Sequence, residues 1–128
     1  MSDKPIAQKL FIKPSARFLL LNPPPGYQDN MGALPKGTIL LNASSHQVDI
    51  IQVFVTNRVE LEARLPPLKG LLAPNGMLWV TYHKGTSRVK TDINRDTINA
   101  YAHSIGLAGV AMISIDEDWS ALRLKLST

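Results

Sequence analysis

The chain of 128 residues contains no cysteine, which rules out disulfides, thiolate nucleophiles and cysteine-ligated metals and is compatible with a reducing cytoplasm. The N-terminal MSDKPIAQKLF has no apolar run of signal-peptide length, and no later run approaches the ~20 residues of a membrane span. The expectation is a cytoplasmic chain with no membrane partner. A nucleic-acid binder favours a basic stripe interleaved with aromatics. Aromatics here are 6%, and the net charge of +4 comes from 14 basic residues scattered among 10 acidic ones. Only Lys84, Arg88, Lys90 and Arg95 cluster, with Asp92 and Asp96 among them, which argues against a nucleic-acid partner.

What is present reads as strands and helices in alternation. ARFLLLN (16–22) is an apolar run of strand length, and Lys13, Pro14 and Ser15 before it end a short opening helix in IAQKLF. TILLNA (38–43) and VDIIQVFV (48–55) are nearly continuous in apolar residues, as strands of a parallel sheet covered on both faces are. Thr56 or Asn57 can cap a helix whose Leu61, Leu65, Leu68 and Leu72 share one face. Pro66 and Pro67 predict a kink or two short helices, because an interior proline lacks a donor and clashes with the carbonyl four back. Ala73 to Gly76 then turns the chain into a fourth strand, MLWVTYH (77–83).

After the polar KGTSRVKT, Asp92 is the expected N-cap of a helix with Ile98, Tyr101, Ala102 and Ile105 on its apolar face and Gly106 as its stop. GVAMISI (109–115) and SALRLKL (120–126) are joined by too few residues for a parallel crossover, so they pair antiparallel.

This order, with LFIKPSARFLLLN and LKGLLAPNGMLWV as its local support, resembles the Rossmann-like fold of class I S-adenosylmethionine-dependent methyltransferases. The implied architecture is α/β: a minimal Rossmann-like sheet of six strands in the order 2-1-3-4-6-5, strand 6 antiparallel, helices on both faces, in one domain spanning 1–128. Most of the chain also resembles a set of small bacterial Rossmann-like proteins, a domain-of-unknown-function family. That likeness rests on Asn22 to Tyr27, DIIQVFVTNRVELEARLPPL, KGTSRVKTDINRD and DEDWSALR, and it implies a fold and a pocket.

A family methyltransferase has a GxGxG-type turn after its first strand, whereas this chain has Asn22-Pro23-Pro24-Pro25. Three prolines supply no amide donors, hold φ at about −65° and set rings where a ligand would lie. No acidic residue ends TILLNASS to take ribose hydroxyls, and one strand and helix of the N-terminal half are missing. These departures argue against S-adenosylmethionine as a cofactor. NPPPGY also resembles the NPPY motif of amino-methylating enzymes, but Pro25 and Gly26 displace Tyr27, and a rigid strand-to-helix turn is the simpler reading.

In open α/β sheets ligands lie beyond the carboxyl ends of the strands, near the point where strand order reverses. Two loops are expected there, one carrying Asn22, Gly26 and Tyr27, the other Lys84, Gly85, Thr86, Ser87 and Arg88 and running on to Asp92 and Arg95. The second has the chemistry to hold a phosphate or carboxylate, although it is not a P-loop. Asp92, Asn94, Arg95 and Asp96 could form a patch, but a capped helix start explains them more simply. His46, His83 and His103 show no metal-ligand spacing, and Ser87 and Ser120 lie in no GxSxG elbow, so neither a metal nor a catalytic residue is assigned. The leading expectation is a non-catalytic module for an anionic small molecule or a protein partner. A divergent methyltransferase or other transferase, and an oligomeric scaffold with a homo-oligomeric partner, are the alternatives.

Overall fold

The computed structural model describes residues 5–88 and 90–127. A short helix α1 (Ile6–Lys9) leads into β1 (Arg17–Leu21), a one-turn helix α2 (Tyr27–Asn30), then β2 (Ile39–Leu41) and β3 (Val48–Phe54). Helix α3 (Arg58–Lys69), β4 (Leu72–His83), α4 (Arg95–Ser104), β5 (Leu107–Ser114) and β6 (Trp119–Leu126) complete the order. The six strands make one sheet in the order β2-β1-β3-β4-β6-β5. All pairs from β2 to β4 are parallel, and β6 runs antiparallel to both β4 and β5. The expected strand order is the observed one.

Successive side chains on a strand point to opposite faces, and both faces here are apolar. Leu19, Ile51, Val53, Leu78 and Val80 join one buried cluster with Leu61 and Leu65 of α3 and Ile98 of α4. Phe18, Leu20, Ile50, Phe54 and Trp79 join another, closed by Ala7 of α1 and Tyr27 of α2. Each interior leucine stabilises the fold by about 1.5–3 kcal/mol relative to an exposed one.

Three local expectations need correction. Arg58–Lys69 is one continuous helix through Pro66 and Pro67, not a broken one. Both prolines fall in its last turn, and the Glu62 carbonyl, which the missing Pro66 donor would have met, accepts instead from Tyr101 Oη at 3.3 Å. Asp92 does not cap α4. That cap is Asn94, in a reciprocal capping box with Thr97, while Asp92 Oδ1 accepts from the Arg58 N–H at 2.8 Å and so serves the first turn of α3.

Ala73 to Gly76 is not a turn before a strand but an excursion within β4. Val48 pairs with Leu72 and Ile50 with Met77, so β4 spends three residues more than β3 over this interval. Gly76 is required there, since a Cβ would stand 3.0 Å from both Ala73 O and Asp49 O.

Candidate functional site

The four parallel strands all end on one edge of the sheet, and the strand order reverses at β1, between β2 and β3. After β1, Asn22 takes φ +58° and its Nδ2 donates to Phe54 O at 3.1 Å, tying the turn to the end of β3. Gly26 takes φ +80° as the N-cap of α2, and nothing lies within 4 Å of where its Cβ would be. Beside this turn a hollow of about 230 Å³ is lined by Gln28, Leu40, Leu41 and Asn42.

Tyr27 is turned inward. Its hydroxyl donates to Gln52 Oε1 at 2.9 Å, and Gln52 Nε2 donates to Thr81 Oγ1 at 3.0 Å, with Gln52 and Thr81 fully buried. Burial pushes the Tyr27 phenol well above its ordinary value; the bond to Gln52 partly offsets this, and the charge of Asp116 adds to it. The phenol therefore stays protonated and remains a donor. From Tyr27 an edge-to-face row runs to Phe54 (4.7 Å) and Trp119 (4.9 Å), and Trp119 stacks on His83 at 3.9 Å. This row separates the β1 turn from the loop after β4.

Beyond His83, a cleft of about 420 Å³ is lined by Tyr82, Lys84, Gly85, Met112, Ser120 and the start of α4 from Asn94 to Asp96. Lys84 Nζ donates to Ser114 Oγ at 2.6 Å, and among the described residues no carboxylate pairs with it. Arg95 meets Asp96 at 3.4 Å, both side chains exposed. Burial raises the Tyr82 phenol; nearby Arg95 opposes that shift and Asp96 adds to it. Ser87 is buried, 3.5 Å from His83 Nδ1 and donating to Asp118 Oδ1 at 3.3 Å. Because the hydroxyl itself reaches the acid, the imidazole is not held between acid and serine as a hydrolytic triad requires.

Of the residues singled out from sequence, Lys84, Gly85 and Arg95 line one cleft. Asn22 and Gly26 shape the β1 turn, Tyr27 and Ser87 are buried, and Asp92 accepts from the first N–H of α3. Thr86 and Arg88 are exposed and outside the cleft lining. Tyr82, Met112 and Ser120 were not anticipated, because only the antiparallel β6 brings them together. Gln52 had a visible signal: it is the one polar residue between Ile50 and Val55. Among the described residues no group of three or more histidine, aspartate or glutamate side chains could hold a metal. No helix there is long and apolar enough to cross a membrane.

No protein-family model and no curated protein matches the chain. Solved structures do. The ribosomal protein L11 methylase of Lactobacillus delbrueckii subsp. bulgaricus matches with a TM-score of 0.62 and 10% identity, over 95% of this chain and 75% of that one. A SAM-dependent methyltransferase from Aquifex aeolicus matches with a TM-score of 0.60 and 12% identity, over 91% and 85%. LepI in complex with SAM matches with a TM-score of 0.54 and 12% identity, over 94% of this chain and 38% of that one. At such identities the likeness is one of fold: class I methyltransferase-like, as the element order implied.

The expectation against S-adenosylmethionine is overturned by these neighbours, which are a methylase, a SAM-dependent methyltransferase and a protein solved in complex with SAM. The prolines carry less weight than that expectation gave them. They stiffen Pro23–Pro25, but Gly26 directly after them leaves the backbone open to close approach.

Proposed function

We propose that this chain is a methyltransferase-fold protein that takes S-adenosylmethionine at the carboxyl edge of its sheet, against the β1 turn and the tip of β2. The observation that carries the reading is the fold, a six-stranded sheet in the order β2-β1-β3-β4-β6-β5, which matches a ribosomal protein L11 methylase at a TM-score of 0.62 and a SAM-dependent methyltransferase at 0.60.

The donor set fits the ligand with neutral groups. Asn42 at the tip of β2 has the amide to meet ribose hydroxyls, Leu40 and Leu41 offer apolar surface to the adenine, and Gly26 permits backbone approach. When bound, the sulfonium supplies an electrophilic methyl group. The residues around it do the positioning: Asn22 pins the turn to β3, and the row from Tyr27 to His83 closes the core beneath both loops.

Calorimetry and thermal shift with S-adenosylmethionine and S-adenosylhomocysteine test this. A ligand at a hundred times its Kd adds about 2.7 kcal/mol to the native state. The wild type is expected to gain that stabilisation and Asn42→Ala to lose most of it; no stabilisation of the wild type at millimolar ligand sinks the proposal. A second reading, a module for an anionic small molecule, is favoured by the Lys84–Arg95 cleft. It requires pyrophosphate to stabilise the wild type but neither Lys84→Ala nor Arg95→Ala.

A further inference from the structure

The opposite edge of the sheet carries a cavity of about 470 Å³, as roomy as the carboxyl-edge cleft, lined by Phe11, Lys13, Asp49, Ile50, Asn75 and Met77 among others. Its floor is made by the excursion within β4, and its rim by the linker between α1 and β1. Ligands of this fold class belong to the other edge. We propose that this amino-edge cavity is a second binding site, for a planar aromatic carboxylate.

The ring at its mouth is the first reason. Phe11 follows the C-cap Leu10 of α1 and takes φ +59°, with its N–H on Gln8 O. That left-handed position after a helix is where glycine is cheapest, and a bulky side chain there is strained. Yet Phe11 is 56% exposed, so core packing does not account for the ring. Backbone strain held at a cavity rim by an exposed aromatic is the pattern of a ligand contact. Ser15, also lining the cavity, takes φ +64°, but Gly37 packs against it and its N–H meets Lys36 O, so the fold explains that residue.

Charge is the second reason. The Arg123 guanidinium lies 5.8 Å from the Phe11 centroid and 6.0 Å from that of Trp79, and its Nη1 reaches Met77 Sδ at 3.7 Å. Phe11 and Met77 both line the cavity, and Arg123 stands just behind them, outside the lining itself. No carboxylate pairs with this half-buried cation or with Lys13 among the described residues. The one acidic group of the lining, Asp49, is turned to the Arg17 N–H through Oδ2 at 2.8 Å and keeps its charge, which Lys13 and Arg123 outnumber. A flat ring meeting Phe11 and a carboxylate meeting Lys13 and Arg123 complete both groups at once. The volume suits a bicyclic ring.

The test is an amide-resolved NMR titration of the full chain with indole-3-carboxylate, indole and acetate. Indole-3-carboxylate is expected to move the amides of Lys13, Ser15, Asp49, Asn75 and Met77 saturably, and each half-molecule to bind at least about tenfold more weakly, as loss of a charge-assisted or cation–π contact implies. Phe11→Gly relieves the strained position, so it should keep a dispersed spectrum and its melting point while binding falls about tenfold. Phe11→Asn, which tolerates the same backbone, is the second variant. Arg123→Met should bind indole and its carboxylate alike. The proposal is overturned if these amides stay still, if shifts fall at Lys84 and Arg95 instead, if indole matches its carboxylate in the wild type, or if a folded Phe11 variant binds unchanged.

Discussion

At the carboxyl edge Tyr27, Gln52 and Thr81 pass hydrogen bonds from one to the next across β3 and β4, and Ser87 is shared between His83 and Asp118. At the amino edge Arg123 lies over two rings with no carboxylate, beside a phenylalanine held in a glycine conformation. One sheet thus ends in two ways. The first edge has spent its buried polar groups on holding two loops in place, so substitutions there act on stability. The second keeps polar capacity in reserve, and substitutions there should be nearly silent until a ligand is added.

The largest effect that would sharpen this contrast is expected from Gln52→Ala. It opens a cavity in a fully buried site and strands both Tyr27 Oη and Thr81 Oγ1. Truncation and two unsatisfied groups together cost about 3–4 kcal/mol. Urea denaturation measures it; a loss under about 1 kcal/mol would show that the polar row is decoration.

Tyr27→Phe comes next, at about 1–2 kcal/mol, since it removes one hydroxyl and leaves Gln52 Oε1 without its donor. It also carries a pH signature. The folded phenol sits above its unfolded value, so its contribution is complete below about pH 10 and is lost as pH rises beyond that. Wild type should therefore lose stability on the alkaline side faster than Tyr27→Phe. Parallel alkaline limbs would mean that the phenol is not buried as described. On the acid side Glu60, held below the usual carboxylate range by hydrogen bonds from Thr56, contributes a small part of stability that disappears as pH falls through its folded value.

How much of this was legible beforehand divides along the same line. The strands and the hairpin follow from apolar runs and from a connection too short to cross over, and the strand order from the resemblance to the methyltransferase fold. The Lys84–Arg95 half of the cleft was readable as chemistry. What was not readable depended on contacts distant in sequence. Asp92 and Asn94 are cap types of equal standing two residues apart; Asn94 closes a reciprocal box with Thr97, and Asp92 is drawn to the Arg58 N–H, 34 residues away. Pro66 is harmless because Tyr101 covers the carbonyl it abandons.

The amino-edge cavity was hidden for a related reason. Ala73 to Gly76 has the composition of an ordinary turn, and nothing local says that β3 will keep pairing on either side of it. Gln52 was visible as a polar residue in an apolar strand, but its donor Tyr27 lies 25 residues away in the turn after β1, and nothing in that turn shows the phenol facing inward.

Arg123→Met is expected to have the smallest effect and could break the comparison. The substitution removes cation–π contacts worth about 0.5–1 kcal/mol each, while relieving the desolvation of a half-buried charge that no carboxylate answers. These oppose, and methionine refills much of the space, so stability should stay within about 1 kcal/mol of wild type by urea denaturation. A loss of 3 kcal/mol or more would place Arg123 among the groups that hold the fold, with Phe11 strained to support it. The polar groups of the amino edge would then belong to the fold, with no capacity left there for a ligand.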